Sequence, residues 1–243
     1  MIKLFRNIRK NLLKEGKTSK YLKYAIGEII LVVIGILIAL SINNWNESRK
    51  ENLLENQLID ILISDLQLKK EECVSDLSYG KQILQQSNRT IQYWENNRDI
   101  DTTYLKSLLK ILSEDDWFFN ESSPAFGTLS NSDLWKKLPD SLIRPISNIY
   151  RVNFGQIKTL FAKQTEYATH CKITFLAPNH LLTLHKSATD IQQVVSEKDE
   201  EFISLLELLR SGVLGLTTNF EKTIPIIDKL VENLEFYKTS KQK

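Results

Sequence analysis

From Tyr24 to Ile42 the chain reads YAIGEIILVVIGILIALSI, nineteen residues of which twelve are Ile, Leu or Val. A helix rises about 1.5 Å per residue, so the run covers roughly 28 Å, close to the roughly 30 Å hydrocarbon core of a bilayer. On an insertion scale the twelve aliphatic residues together favour the membrane by about 4 to 7 kcal/mol. Glu28 opposes insertion by at most about 3.5 kcal/mol, and it lies near the segment end, where its carboxylate reaches the interface. The run is therefore read as a transmembrane helix, and the rest of the chain is organised around it.

Charge orients that helix. Residues 1–24 hold eight Lys or Arg against Glu15 alone, a net +7. The stretch Asn43–Asp60 holds only Arg49 and Lys50 as basic residues. The positive-inside rule keeps the N-terminus in the cytoplasm and sends everything after Asn43 across the membrane. The remaining 219 residues carry 24 basic and 29 acidic side chains, a mildly acidic body that is no nucleic-acid binder. A cleaved signal peptide is the competing reading. The apolar run is longer than a usual signal core, whereas Ala39-Leu40-Ser41 offers a small-x-small site. In the leader, Ile2, Phe5, Ile8 and Leu12 recur near helical spacing with basic residues between them. They form either an amphipathic helix on an anionic leaflet or a plain solvated leader. Trp45, among Asn43, Asn44 and Asn46, suits the aqueous interface.

Beyond Trp45 the chain keeps a helical period. Positions 59, 63, 66, 70, 73, 77, 80, 84, 87, 91 and 94 alternate steps of four and three, and eight of the eleven are apolar. That seam predicts one long amphipathic helix leaving the membrane with little interruption and ending near Asn96-Asn97. Asp101-Thr102 caps a short helix bearing Leu105, Leu108, Leu109 and Leu112. Residues 114–138 lose the period and are rich in aromatics, with Pro124 after Ser123 opening a short helix. Pro139 opens a long helix to about Leu176, kinked or delayed by Pro145. Pro178 starts a helix bearing Leu181, Leu182 and Leu184. A capping-box-like Ser196-x-x-Asp199 begins a helix over Phe202–Leu209 closed by Gly212, and a last helix runs from Leu214 to Tyr237, bent at Pro225. Gly and Pro number only 8 and 5, and no segment shows strand alternation. The chain is all-α: a basic leader (1–23), a transmembrane helix (24–42), and an extracytoplasmic helical bundle (46–243).

Gly27 to Glu47, GEIILVVIGILIALSINNWNE, resembles the N-terminal signature of an uncharacterised family of single-pass membrane proteins of Bacteroidota, a domain of unknown function. Ser123 to Tyr150 is similar to a second stretch of that family, with Phe126 where Tyr is expected. The resemblance implies a Gram-negative cell, an inner-membrane anchor and a periplasmic body. It implies no catalytic residues.

Several side chains are candidates for a role. Glu28 serves interface anchoring, recognition of a partner helix, or ion handling. Gly35 and Ala39 form a small-xxx-small pair that admits another helix closely. Cys73 and Cys171, 98 residues apart, form one disulfide or are two buried thiols. Trp117, Phe118, Phe119, Phe126 and Trp135 are core or an exposed binding patch. Glu166, His170, Cys171, His180 and His185 lack zinc-like spacing, and no metal or cofactor is expected. Catalytic motifs for phosphate, dinucleotide or acyl chemistry are missing. The expected function is a non-enzymatic, membrane-anchored sensing, scaffolding or partner-binding domain. Its partners are the bilayer and either further copies of itself or another membrane protein. The alternative is an apolar-ligand or lipid binder using the aromatic region.

Overall fold

A computed structural model describes residues 18–114, 117–182 and 188–241. The basic leader up to Lys17, with its amphipathic pattern, lies outside the described residues, as do Leu184 and His185. Every regular element among the described residues is helical. Helix α1 runs from Thr18 to Asn97 as one 80-residue element. The reason is compositional: the stretch holds no proline, and its only glycines are Gly27, Gly35 and Gly80. It stops where expected. Arg98 adopts a left-handed φ of 52° and returns its N–H to the Trp94 carbonyl at 2.8 Å. The Arg98 guanidinium then lies 4.6 Å above the Trp94 ring.

The chain divides into two compact units, Met1–Gln57 and Leu58–Lys243. In the first, the described part is the N-terminal portion of α1, and its large apolar side chains from Leu22 to Leu54 are exposed on every face.

The second unit is a helical bundle. Asp101 caps a short 3₁₀ turn (Thr102–Tyr104) that leads into α2 (Leu105–Leu112). Ser123 caps α3 (Pro124–Ser130), with its oxygen accepting from the Phe126 N–H, as its position before Pro124 predicts. A second 3₁₀ turn, Asp133–Lys137, leads to α4 (Asp140–Asn148). A π-helical turn, Ile149–Asn153, joins α4 to α5 (Phe154–Cys171), and a second one, Lys172–Leu176, follows α5. Helix α6 is Ala188–Glu197 and α7 is Asp199–Ser240.

The seam proposed for α1 is the inward face: Ile59, Ile63, Leu66, Cys73, Gly80, Ser87 and Ile91 are buried, and the other four positions are half-buried. α7 runs antiparallel to it. Lys70 pairs with Asp228 at 2.6 Å, Lys81 with Glu221 at 2.7 Å, and Lys238 with Asp60. Two apolar clusters fill the bundle. One gathers Ile59, Leu66, Phe154, Phe161, Phe220 and Leu230; the other gathers Ile83, Leu108, Phe175, Phe202 and Leu206. Each such side chain contributes roughly 1.5 to 3 kcal/mol on burial.

Three expected boundaries are corrected. Gly212 does not close a helix; α7 passes through it, through Gly215 and through Pro225 as one 42-residue element. A Cβ at Gly212 would stand 2.2 Å from Gln164 Oε1 and 3.2 Å from the Tyr167 ring, so the glycine serves the close approach of α5 to α7. The preceding break lies at Lys198, which caps α7 with no side-chain bond, so Ser196 and Asp199 form no capping box. Pro178 starts no helix over residues 178–182. It lies in a closing turn, where His180 has φ 55°, its N–H reaches the Ala177 carbonyl at 3.1 Å, and the Leu181 N–H reaches that of Leu176 at 2.8 Å. That pair of bonds is a Schellman closure, with a histidine in the place glycine usually takes.

Candidate functional site

The irregular segment between α2 and α3 is where the bundle concentrates its polar chemistry. On α1 the residues Asp65, Lys69, Glu72, Asp76 and Tyr79 follow one another by four, three, four and three, a polar stripe beside the apolar seam. Glu114 and the segment 117–123 lie antiparallel across this stripe and are fastened to it at four places. The Tyr79 hydroxyl donates to Glu114 at 2.6 Å, and the Trp117 indole N–H donates to Asp76 at 3.0 Å. The Lys69 ammonium donates to the Asn120 carbonyl and to Glu72 at 3.1 Å, and lies 5.0 Å from the Phe119 ring centroid. The Ser123 hydroxyl donates to Asp65 at 2.8 Å. Lys69 is itself buried, which is tolerable only because a carboxylate, a carbonyl and an aromatic face surround its ammonium.

Asp65 also accepts from the Tyr150 hydroxyl at 2.6 Å. Tyr150 sits in the first π turn, so one carboxylate ties α1, the α3 cap and the α4–α5 junction together. Burial, and then the Asp65 carboxylate, push the Tyr150 phenol far above its ordinary value. Burial raises the Asp76 carboxyl; the Trp117 hydrogen bond opposes this and Glu72 adds to it.

The aromatic region is core. Trp117 meets Tyr79 and Phe161 edge-on at 5.0 and 5.1 Å, and Phe119 is buried between Phe154 and Phe161. Phe126 stacks on Tyr150 at 4.6 Å and meets Trp135 edge-on at 6.0 Å. Phe118 alone is exposed, at 69%. The exposed-patch reading of Trp117, Phe119, Phe126 and Trp135 is thereby corrected: the segment is extended, so Trp117 and Phe119 turn inward and Phe118 outward.

The disulfide reading is corrected as well. Cys73 and Cys171 are both free and buried, and they belong to different apolar clusters. Burial, helped by Glu72 and Asp76, pushes the Cys73 thiol up to about 12, and burial pushes Cys171 up to about 11. Both are inert apolar fillers rather than nucleophiles. His170 and His180 are exposed, and no group of three His, Cys, Asp or Glu among the described residues is placed to hold a metal ion.

The membrane candidates lie on α1 in the Met1–Gln57 unit. Glu28, Gly35 and Ala39 follow by seven and four and so share one helix face. A Cβ at Gly35 would meet nothing within 4 Å, and Trp45 is 65% exposed.

The residues that the sequence reading passed over are Asp65, Lys69, Asp76 and Tyr79. Their signal was present: a polar four-three repeat on a helix whose apolar repeat runs alongside. A solvated face has no need of such register, whereas a fastened segment does.

The chain is 22% identical over 203 residues to autophagy-related protein 17 of Vanderwaltozyma polyspora, which covers 80% of this chain and 47% of that protein. The chain thus spans about half the length of the curated relative it matches. No solved structure matches. The family of unknown function DUF6090 matches residues 28–209, from the apolar run of α1 through the fastened segment and into α7, and the chain belongs to that family.

Proposed function

We propose that the protein is a non-enzymatic, single-pass membrane protein whose helical body binds a partner beyond the membrane. The observation that carries the reading is the state of the apolar run. It belongs to a helix with mean hydropathy 2.8 over its most apolar 18-residue window, and none of that window is buried. A core helix of a soluble domain hides such a face; this one presents aliphatic side chains all round, including Ile29, Leu31 and Ile42 at 61–63% exposure. Water is a poor solvent for that surface and a bilayer a good one. The +7 leader supports a cytoplasmic N-terminus with the body across the membrane; the resemblance of the apolar run is what supports the inner membrane and periplasm of a Gram-negative, Bacteroidota cell.

The non-enzymatic part rests on how the body spends its polar groups. Asp65, Lys69, Asp76 and Ser123 each hold a structural contact, and Ser123 also caps α3, so these hydroxyl and carboxylate groups are engaged in fastening. Further copies of the chain or another membrane protein are the proposed partners, with Glu28, Gly35 and Ala39 on the face that would meet them.

Reporter fusions at Lys243 test the topology. Alkaline phosphatase is expected to be active there and β-galactosidase inactive, with the product resisting carbonate extraction. The opposite pattern, or release by carbonate, refutes the anchor and its orientation. Crosslinking in native membranes tests the partner; a chain that stays monomeric and alone refutes the binding role.

A further inference from the structure

Between α5 and α7 the Leu58–Lys243 unit carries an open groove of about 670 Å³, within the roughly 300–1,000 Å³ usual for small-molecule sites. Its lining alternates in pairs four residues apart along one face: Arg151 with Val152, Gly155 with Gln156, and Thr159 with Leu160; Asn219 of α7 completes it. The first pair belongs to the π turn, a feature that frequently marks functional sites.

The groove is apolar in its middle. Val152 is 48% exposed there, and Leu160 is half-buried. Gly155 keeps it open, because a Cβ at that position would meet nothing within 4 Å. Packing therefore gives no reason for the glycine. The polar donors beside it are already used: Thr159 donates to the Gly155 carbonyl at 2.8 Å and Asn219 to the Gly215 carbonyl at 2.9 Å. An apolar guest would displace little bound water from those donors.

One end is different. Arg151 is exposed and makes no ion pair among the described residues, although the body as a whole is acidic. Its guanidinium is steadied 5.6 Å over the Phe126 ring. Gln156, one turn on, makes no side-chain hydrogen bond among the described residues. The neighbouring cation, Lys158, is held by Glu121. A fixed, unneutralised guanidinium beside an amide is suited to a carboxylate or phosphate.

We infer that this groove binds an anionic amphiphile, its alkyl chain along Val152, Gly155 and Leu160 and its head on Arg151 and Gln156. A free fatty acid and an anionic phospholipid share this chemistry. The inference concerns the body alone and does not depend on the anchor or on the proposed protein partner.

The test uses the full chain in phosphatidylcholine nanodiscs and a diazirine-bearing palmitate, with labelled peptides mapped by mass spectrometry. Label is expected on the peptides holding residues 151–160 and Asn219. Arg151→Gln should lower it about tenfold, the loss of one charge-assisted bond. Gly155→Leu, which fills the groove, should abolish it. Both variants should melt like the native chain by circular dichroism, since neither side chain is buried. Competition by oleate identifies a fatty-acid site; competition only by added phosphatidylglycerol identifies a phospholipid site. Label confined to residues 24–42, label unchanged in both variants, equal competition by uncharged dodecanol, or a crosslink joining two copies at Gly155 overturns the inference.

Discussion

Removing the Asp65 carboxylate is the most informative perturbation of the body. In the folded chain it accepts from Tyr150 at 2.6 Å and from Ser123 at 2.8 Å. Hydrogen bonds to a charged group are worth about 1.5 to 3 kcal/mol each. Asp65 is half-buried, so water recovers part of that on its loss, and a total of about 2 to 3 kcal/mol is expected for Asp65→Ala. The Tyr150 hydroxyl carries most of the penalty, because Tyr150 is only 5% exposed and its donor would be left without a partner. Ser123 keeps its second role, accepting from the Phe126 N–H at 3.0 Å, and loses less. For a body of this size a loss of that magnitude lowers Tm by about 5 to 10 °C. Asp65→Ala, Tyr150→Phe and the double variant form a cycle, read by denaturant titration with tryptophan fluorescence. A coupling of about 1 to 2 kcal/mol is expected. Additive losses, or a single-variant loss under about 0.5 kcal/mol, would show that the hydroxyls find other partners and that Asp65 joins nothing.

Other consequences of the fastened segment are testable together. Asp76 has a folded-state pKa raised above its ordinary value, chiefly by burial, so its charge weakens the fold and this group's contribution falls as pH rises from about 4. Asp76→Asn keeps an acceptor for Trp117 and should gain on the native chain as pH rises from 3.5 to 7; a constant difference across that range refutes the assignment. Asp76→Ala strands the indole N–H and should cost about 1 to 3 kcal/mol at pH 7, measured by the same titration. Both thiols should ignore Ellman's reagent in the native chain and react, two per chain, in guanidinium without reductant; fewer than two would reveal a bridge. Phe154→Ala, at a fully buried ring, should cost about 3 to 5 kcal/mol, whereas Phe118→Ala should change stability by less than about 0.5 kcal/mol.

Much of the fold was legible because α1 repeats its instructions. A four-three apolar seam over five heptads leaves one inward face, and the asparagine pair at 96–97 with no proline before it fixes the end. Caps were legible too, since Asp101 and Ser123 satisfy N–H groups within two or three residues, and local chemistry needs no knowledge of the rest of the chain. What failed were the capping box at Ser196 and Asp199, the helix start at Pro178, which lies in a local closing turn, and the helix end at Gly212, which depends on distant neighbours. Gly212 looks like a helix break in sequence, but a Cβ there would stand 2.2 Å from Gln164; at Gly80, on the predicted seam, a Cβ would stand 2.6 Å from Thr217. Both are contact points of long helices, and only the partner helix reveals it. The π turns were likewise invisible, since a single extra residue per turn leaves no compositional mark.

The same distinction explains why the aromatic segment was ambiguous. Trp117, Phe118 and Phe119 are equally apolar, and composition alone cannot tell a covered ring from an exposed one. The decision is made on α1, where Asp76 receives the Trp117 indole and Lys69 sits over Phe119, fixing which residues of an extended strap turn inward. A polar residue on the scaffold therefore sets the burial of an apolar residue 41 positions away. If that is the controlling link, moving the polar stripe should move the strap. Asp76→Lys places a cation where an indole donor must bind, and the repulsion should release Trp117 while the apolar seam of α1 stays intact. Tryptophan emission should shift to the red and Phe119 become accessible to limited proteolysis, with helix content by circular dichroism nearly unchanged. A variant that keeps native emission would show that the rings bury themselves without direction from α1, and the stripe would then be a consequence of the packing rather than its guide.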